Sequence, residues 1–453
     1  MLADVPVSVD APGGLPRDLG DGLTLRWATA ADAEAVAQFN VRIHSDDPDN
    51  QEIALYHWTL DLMRGRHPTT GPADVTVVVD SGLGGKVVSS VLLISQTWAY
   101  DGVSFPMGRP ELVATDPAYR RRGLIRQQMA AIHARSAAKG ELVLGITGIP
   151  WYYRQFGYEM ALDLDGNRRL PLFRIPDLPR ETRESYRLRA ATARDIPLLA
   201  ELYDIHRGSS PLSRVRDEAE WRWELDGPHP ASFHYRRFEI VEELSGQPVG
   251  YVEGVVSQWA RAIRINEIAA ARGYPLQDVC MFVSRALKAR AQELNKSREH
   301  ALIGLVFWLG AAHPAYQALG ESLEKLSPPY AWYLRVPDLR AFVRHVAPAL
   351  ERRLVGSVVE GYSGALRLNF YRDTLRLVFE RGKLTTVDSY VPAHMREGDA
   401  LFPDLTFLHL LFGRRGLAEL RQAFPDCNTS GPAVAVLLDA LFPQRHSLVN
   451  ALH

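Results

Sequence analysis

The chain is poor in cysteine, with Cys280 and Cys427 as the two thiols among 453 residues. Two distant thiols cannot form a disulfide framework or a zinc site of four cysteines, and their scarcity favours a reducing compartment. A run of about 18 apolar residues, which a membrane-spanning helix needs, is also lacking. The N-terminal stretch has neither the basic nor the apolar region of a secretory signal. We therefore expect a cytoplasmic protein without a membrane span.

An excess of charge is lacking too, because 52 basic and 53 acidic residues leave a formal net charge of −1. This balance provides no general attraction to nucleic acids or anionic membranes. The sequence contains no Walker A, His-Glu-x-x-His, Gly-x-Ser-x-Gly or paired-cysteine motif. We expect neither a nucleic-acid partner nor a bound metal. The hydrophobic content of 46% and the length indicate about three globular domains.

What the sequence does contain is an internal repeat. Residues 25–32 read LRWATAAD and residues 188–195 read LRAATARD, 163 positions later. In each copy Thr is followed three positions on by Asp, a pattern typical of a capping box that begins a helix. At the same offset, YRQFG at 153–157 matches YQALG at 316–320. Two landmarks at one spacing indicate a tandem duplication of an α/β domain.

The repeat also predicts domain boundaries. We expect a lead-in over residues 1–21, one copy over 22–168 and a second over 184–329. Residues 330–453 do not repeat the first two segments. Alternating apolar and polar residues over 364–390 predict a β-hairpin, and helical stretches flank it. The last segment is therefore predicted to be an α+β domain.

The segment 111–126, ELVATDPAYRRRGLIR, places a basic turn between a predicted strand and a predicted helix. Gly123 lets a ligand approach the backbone, and the first N–H groups of a helix have no partner within the helix. Such a helix start suits a pyrophosphate. Fixed charge and bidentate donors would come from Arg120, Arg121, Arg122 and Arg126. The alternative is a solvated basic turn, since charge runs usually face water.

A wider pattern extends this segment. The strand, the Arg-x-x-Gly turn, a strand at 141–147 and Tyr153-x-x-x-Gly157 together resemble the GCN5-related N-acetyltransferases, or GNAT enzymes. The duplication and the third segment are similar to the enhanced-intracellular-survival (Eis) acetyltransferases of bacteria. This resemblance implies an α/β (α+β) fold of two tandem GNAT-like domains followed by a C-terminal domain like sterol carrier proteins. It also implies acetyl-CoA as acyl donor and a homo-oligomer, with the hexamer as the assembly that the family suggests.

The resemblance also implies a set of coenzyme-binding residues. Pantetheine would pair with the strand, and the pyrophosphate would lie on the turn and the helix start. The residues concerned are Val113, Ala114 and Thr115 for pantetheine, and Arg121, Arg122, Gly123, Leu124, Ile125 and Arg126 for the pyrophosphate. Ile125 stands where the family has glycine or alanine.

The resemblance implies Tyr153 as the general acid. Phenol and thiol have unperturbed pKa values of about 10 and 8.5, so a tyrosine can protonate a departing thiolate. The alternative is a core aromatic beside Trp151 and Tyr152. For the general base the family offers the terminal α-carboxylate, here that of His453, and other members of the superfamily place a glutamate where this chain has Glu111.

The second copy is not expected to bind coenzyme A. Its segment Arg272-Gly273-Tyr274-Pro275 lacks the Arg-x-x-Gly-x-Gly/Ala pattern, and a proline at the helix start removes a donor. We expect Tyr316 to be packed rather than catalytic. A rival function for the whole chain is a non-catalytic protein whose third segment binds an apolar ligand.

The acceptor is predicted from the stretch at 44–58. Its acidic residues Asp46, Asp47, Asp49 and Glu52 accompany the aromatic residues Tyr56 and Trp58. Since the resembling enzymes accept cationic amines in acidic, aromatic clefts, we expect a primary amine of an aminoglycoside-like or polyamine-like molecule, or a lysine side chain. A solvated acidic loop is the alternative interpretation of these carboxylates.

Overall fold

The computed structural model describes residues 14–45, 52–208, 210–257 and 259–450. The strands are, in chain order, β1 (Arg17–Gly20), β2 (Leu23–Trp27), β3 (Val75–Asp80), β4 (Lys86–Tyr100), β5 (Val103–Thr115), β6 (Val143–Ile146), β7 (Glu159–Leu164), β8 (Arg168–Pro171), β9 (Tyr186–Ala190), β10 (Leu212–Val215), β11 (Phe238–Glu243), β12 (Pro248–Ser257), β13 (Ala262–Ala270), β14 (Gly304–Phe307), β15 (Tyr330–Arg335), β16 (Gly364–Asn369), β17 (Thr374–Glu380), β18 (Lys383–Asp388), β19 (Ala400–Leu401) and β20 (Asn428–Thr429).

The helices alternate with these strands. They are α1 (Ala33–His44), α2 (Ile53–Met63), α3 (Leu124–Ala138), α4 (Ile196–Arg207), α5 (Glu218–Asp226), α6 (Leu276–Asn295), α7 (Pro314–Leu319), α8 (Leu339–His345), α9 (Ala347–Leu354), α10 (Phe407–Leu411), α11 (Leu417–Ala423) and α12 (Pro432–Leu441). Within the described ranges, none of them combines the length and the hydrophobicity that crossing a bilayer requires.

The chain divides into two compact units. The first runs to Ala161 and adds Gly227–Tyr235 and Trp332–Gln444. The second holds Leu162–Asp226, Arg236–Ala331 and the residues from Arg445 on. The last segment of the chain thus belongs largely to the same unit as the first copy. The two units group residues that pack together, whereas the boundaries predicted from the sequence follow the internal repeat. The predicted domain boundaries therefore stay a prediction.

The main sheet of the first unit has the strand order β1-β2-β3-β4-β5-β6-β15. Its longest pair is the hairpin of β4 and β5, which runs from Tyr100↔Val103 back to Ser89↔Thr115. The two-residue turn of this hairpin is Asp101-Gly102, both with positive φ, as tight hairpin turns require. In contrast to this antiparallel pair, β5 and β6 run parallel.

The sheet of the second unit has the order β9-β11-β12-β13-β14-β8. The succession β9, β11, β12, β13, β14 repeats that of β2, β3, β4, β5, β6, and the parallel pair falls at the same place, between β13 and β14. The α/β fold class is therefore confirmed, and the duplication seen in the sequence is visible in the topology of both sheets.

Each sheet is completed by a strand that the chain places after the other copy. β15, which follows the second copy, pairs antiparallel with β6 through Tyr333↔Ile146. β8, which follows the first copy, pairs antiparallel with β14 through Leu170↔Leu305. The domain boundaries predicted from the sequence do not include this exchange of strands, because pairing between segments far apart in sequence leaves no local signal.

The two predicted capping boxes are present. Asp32 accepts hydrogen bonds from the N–H and the hydroxyl of Thr29 at 2.7 and 2.9 Å, and Asp195 accepts the same two from Thr192 at 2.8 and 2.9 Å. Each box opens a 3₁₀ turn that leads into α1 or α4. A paired arginine, Arg189 in the second copy, lowers the pKa of Asp195 to about 2. Both helix starts are thus fixed to the strand before them.

The third segment is an α+β arrangement around a smaller sheet with the order β18-β17-β16-β19-β20. The predicted hairpin is β16 and β17, and β18 extends it to three antiparallel strands. Alternate side chains, including Leu368, Leu375 and Leu377, are fully buried on one face. A likeness of this segment to sterol carrier proteins stays a prediction.

Candidate functional site

A gap between two strands shapes the site in the first unit. β5 and β6 pair at Met107↔Val143 and Gly108↔Leu144, after which β5 continues to Thr115. A bulge in the pairing with β4 falls opposite this continuation, between Ser90 and Leu92. At the bulge Leu112 has φ +48°. Because the strands separate here, the β5 backbone over 111–115 borders a cavity instead of a neighbouring strand.

A turn and the start of α3 form the next wall. Asp116 caps the turn by accepting a hydrogen bond from the Ala118 N–H at 3.1 Å. Gly123, with φ +74°, precedes α3, and Arg121 is also left-handed at +65°. The first α-helical hydrogen bond joins the Gln127 N–H to the Gly123 carbonyl at 3.2 Å. The N–H groups of the three residues between them therefore have no partner within the helix.

These walls enclose a cavity of about 950 Å³. It brings together most of the residues that the sequence pointed to. The predicted residues among its lining are Trp58, Glu111, Val113, Ala114, Thr115, Arg120, Arg121, Gly123, Leu124, Ile125, Arg126 and Tyr153. The sequence did not single out His44, Tyr152, Phe156 and Phe233, which also line it.

Arg122 is placed differently from its neighbours. Its guanidinium lies 3.1 Å from Asp21 and over the ring of Tyr119 at 5.6 Å. It is not among the residues that line the cavity. The left-handed backbone at Arg121 and Gly123 on either side gives consecutive side chains different directions. Its predicted coenzyme contact therefore stays a prediction without support from this geometry.

Tyr153 is both a core aromatic and part of the cavity wall. It lies in the 3₁₀ turn Tyr152–Phe156, is 3% exposed, and packs against Tyr333 with ring centroids 5.5 Å apart. Within the described ranges its hydroxyl makes no hydrogen bond. Burial, assisted by the negative charge of Glu111, raises the pKa of Tyr153. The phenol is thus kept protonated at neutral pH and has a hydroxyl available to a ligand.

The same part of the chain has a known counterpart. Residues 25–161 match the family model described as an acetyltransferase (GNAT) domain. This segment is a GNAT acetyltransferase domain. GNAT domains use acetyl-CoA, so acyl transfer is the chemistry of this part of the chain. A comparison with curated protein sequences finds no match.

Solved structures share the fold of nearly the whole chain. A GCN5-related N-acetyltransferase from Kribbella flavida is 18% identical, with a TM-score of 0.64, and 95% of this chain and 98% of that one are covered. A probable N-acyltransferase from Enterococcus faecalis V583 is 14% identical, with a TM-score of 0.66 and coverages of 94% and 98%. Eis1 from Mycobacterium abscessus is 14% identical, with a TM-score of 0.57 and coverages of 94% and 99%. At such identities the likeness shows the fold.

Among the residues that can be described, Glu111 is the carboxylate that lines the cavity of the GNAT domain, and its side chain is 13% exposed. Its side chain forms a salt bridge with Arg109, whose guanidinium stacks over Trp332 at 5.3 Å. Burial raises the pKa of Glu111, and Arg109 and a hydrogen bond from the Leu112 backbone oppose that shift. Glu111 is therefore a base candidate that is already engaged by a cation.

The other predicted base, His453, lies outside the described residues. The segment before it can be followed to Asn450 and is anchored within the second unit. His446 contacts the Asp163 carboxylate at 2.8 Å, and the Leu448 N–H donates to the Ser210 hydroxyl at 2.7 Å. A role for the terminal carboxylate of His453 stays a prediction.

Part of the lining of the GNAT cavity is aromatic. Trp58 of α2 stacks with Phe233 at 5.9 Å and with His234 at 4.3 Å. The Phe233 N–H donates to the Ala54 carbonyl at 3.1 Å and holds this loop on α2. Of the predicted acceptor residues, Trp58 lines the cavity, whereas the Tyr56 hydroxyl donates to Glu34 and does not.

Of the four acidic residues in that prediction, the structure describes Glu52. Asp46, Asp47 and Asp49 lie outside the described residues. Glu52 precedes α2, is exposed, and is not part of the lining. Of the residues that the sequence predicted for the acceptor, the described structure places Trp58 in the cavity lining.

The second unit uses its equivalent tyrosine in another way. The hydroxyl of Tyr316 lies 3.0 and 2.9 Å from the carbonyls of Phe307 and Gly310, and it accepts a hydrogen bond from the Leu309 N–H at 3.2 Å. Next to it the buried His313 is hydrogen-bonded to His206 at 3.1 Å. Tyr316 is packed, as expected from the sequence. That the second copy binds no coenzyme stays a prediction.

This difference predicts that a Tyr→Phe substitution lowers the thermal stability at position 316 and leaves it unchanged at position 153. Tyr316→Phe leaves the buried Leu309 N–H without its acceptor, which should cost about 1–3 kcal/mol. At about 2–4 °C per kcal/mol for a domain of this size, thermal denaturation should detect it. Tyr153→Phe removes a hydroxyl that has no protein partner, so its melting temperature should equal that of the wild type. Equal melting temperatures for the two variants would contradict this assignment.

Proposed function

We propose that the protein is an acetyl-CoA-dependent N-acetyltransferase that acetylates a primary amine of a cationic small molecule. The observation that carries this proposal is the convergence of three groups on one cavity of the GNAT domain. They are the exposed backbone of β5 over 111–115, the start of α3 behind Gly123, and the unpartnered hydroxyl of Tyr153. Each group offers hydrogen-bond donors to a different part of an acyl-CoA.

The donor end fits a coenzyme A molecule in charge and in backbone chemistry. Pantetheine is an extended chain with two amides, and the separated edge of β5 at Val113–Thr115 offers strand-like partners for them. The diphosphate is an anion, and the α3 start supplies free N–H groups at the positive end of a helix dipole. Arg121 and Arg126 add charge from the same cavity wall.

The chemistry follows from these positions. The amine nitrogen attacks the thioester carbonyl, and backbone N–H groups at the β5 bulge stabilise the negative charge that develops on oxygen. Tyr153, held protonated by its raised pKa, donates its proton to the departing sulfur. A direct transfer of this kind needs no nucleophile from the protein.

The acceptor end fits an ammonium group next to an apolar body. Trp58, Phe233 and Tyr152 present aromatic rings that can attract a cation through their faces. Among the described residues, Glu111 is the carboxylate that lines the cavity. Polyamines, aminoglycosides and lysine side chains all carry the required primary amine. Homo-oligomerisation, up to a hexamer, stays a prediction from the resemblance, and a cytoplasmic location stays a prediction from the sequence.

The test is an acceptor screen with acetyl-CoA that monitors release of free coenzyme A thiol. The panel contains polyamines, aminoglycosides, arylalkylamines and a lysine peptide, each above the background hydrolysis without amine. We expect thiol release in proportion to the acetylated amine that mass spectrometry detects. Failure of every amine, at concentrations where acetyl-CoA binding is demonstrated, would contradict the proposed function.

The basic wall predicts a pair of arginine variants. Arg126 lines the cavity, and its positive charge opposes the rise that burial causes in the pKa of Tyr152, whereas Arg122 is engaged with Asp21 outside the lining. Arg126→Ala should weaken acetyl-CoA binding about tenfold, the loss expected for one charge-assisted hydrogen bond. Arg122→Ala is the matched control and should have a smaller effect. Titration calorimetry measures both, and the reverse order would remove Arg126 from the coenzyme site.

The Tyr153→Phe variant is expected to turn over more slowly while its structure and its affinity for acetyl-CoA stay the same. Loss of a general acid should lower kcat by about 100-fold or more, while the dissociation constant for acetyl-CoA stays close to that of the wild type. Steady-state rates and calorimetry on the same preparation separate the two. Unchanged turnover would exclude Tyr153 as the proton donor.

A further inference from the structure

A histidine that the sequence did not single out occupies the acceptor part of the GNAT cavity. His44 is the last residue of α1, and its side chain lines the cavity together with Glu111 and Tyr153. α1 itself is held against β5, since Arg42, one half-turn earlier, forms a salt bridge with Asp116 at 2.9 Å. The imidazole is thus placed by a helix that is fixed at its C-terminal end.

The imidazole of His44 lies beside the strand that frames the site, where the Leu112 carbonyl at the β5 bulge acts on its pKa. Nε2 is buried and has no hydrogen-bond partner among the described residues. In a neutral imidazole this nitrogen can carry the free lone pair that a base needs. A buried polar atom without a partner costs free energy unless a ligand supplies one.

The protonation state of His44 suits a base. Burial lowers the pKa of His44, and the hydrogen bond to the Leu112 carbonyl opposes this only in part. The imidazole is consequently neutral at pH 7. The titratable and charged groups that share its cavity are Glu111 on β5, Tyr119, Tyr152 and Tyr153 on the turns, and Arg120, Arg121 and Arg126 at the α3 end.

We propose that His44 is the general base that deprotonates the acceptor amine. The inference rests on the proposed function and adds to it the residue that accepts the proton. The alkylammonium gives one proton to Nε2 and becomes a neutral amine, which forms the C–N bond to the thioester carbon. The C–S bond then breaks, and the sulfur takes the proton of Tyr153.

The remaining protons balance as follows. The nitrogen of the new amide still carries one proton too many, and this proton returns to the tyrosinate of Tyr153. The proton on His44 leaves to solvent. The sum is acetyl-CoA plus alkylammonium going to N-acetylamine, coenzyme A thiol and one proton. No oxidant, reductant or metal is required.

The experiment compares His44→Gln with the wild type, using the amine that gives the fastest thiol release. Glutamine keeps a polar side chain with an N–H donor but has no basic nitrogen. We expect kcat to fall by about 10²–10⁴-fold, the usual contribution of a positioned base, with little change in acetyl-CoA affinity. His57→Gln, on the neighbouring helix and outside the lining, is the matched control and should keep wild-type turnover.

The pH profile separates a base from a residue that only packs. A base must be unprotonated, so wild-type kcat/KM should be lost as pH falls through the pKa of His44, below its ordinary value of about 6.5. This acid limb should disappear in His44→Gln. It should persist in Glu111→Gln and in a chain extended beyond His453, whatever their absolute rates. As a second variant, His44→Ala should regain part of its turnover when imidazole is added.

The outcomes distinguish the two levels of the proposal. Wild-type thiol release together with an unchanged rate and acid limb in His44→Gln would overturn the role of His44 and leave the acetyltransferase intact. Loss of the limb in Glu111→Gln or in the extended chain would overturn it in favour of that carboxylate. Absence of thiol release from the wild type with every amine would overturn both.

Discussion

The separation of β5 from β6 is the constraint on which the site depends. After two paired positions the strands part, and the backbone over 111–115 is left with hydrogen-bonding groups that the sheet does not use. Backbone groups in such a position need partners, and a cavity rather than packed side chains adjoins them. The start of α3, the Tyr153 turn and His44 all line the cavity beside this edge. Without the parting of the two strands there would be no free edge of β5 along which an acyl donor could extend.

The two copies show that this topology does not by itself make a site. β13 and β14 form the same parallel pair as β5 and β6, and a bulge also interrupts the pairing of β12 with β13. In that copy, however, the Tyr316 hydroxyl is fully engaged by backbone groups, and buried histidines lie beside it. The tyrosine hydroxyl that has no partner among the described residues in the first copy is engaged by backbone groups in the second. Function therefore lies in which groups are left without partners, a property that the shared fold does not determine.

Much of this arrangement could be predicted from local sequence patterns. The capping boxes, the turn before Gly123 and the placement of Tyr153 depend on neighbouring residues, which a sequence reading captures. The completion of the sheet by β15, the Phe233 wall contributed by Gly227–Tyr235, and the direction of Arg122 toward Asp21 depend on contacts between distant segments. His44 was missed because a single histidine at a helix end carries no pattern. Its place in the cavity depends on how α1 packs against β5, and contacts between distant segments are invisible to motif analysis.

The choice between Glu111 and His44 as the base depends on which charges change when the proton is transferred. If Glu111 accepted the proton, it would become neutral, and the salt bridge to the 1% exposed Arg109 would be lost. Removing one partner of a buried ion pair is costly because the other charge stays desolvated. Proton transfer from an ammonium to a neutral imidazole moves a positive charge over a short distance instead and leaves the number of charges in the cavity unchanged. On this argument Glu111 keeps its charge beside Arg109, and the proton is taken by the group that starts neutral.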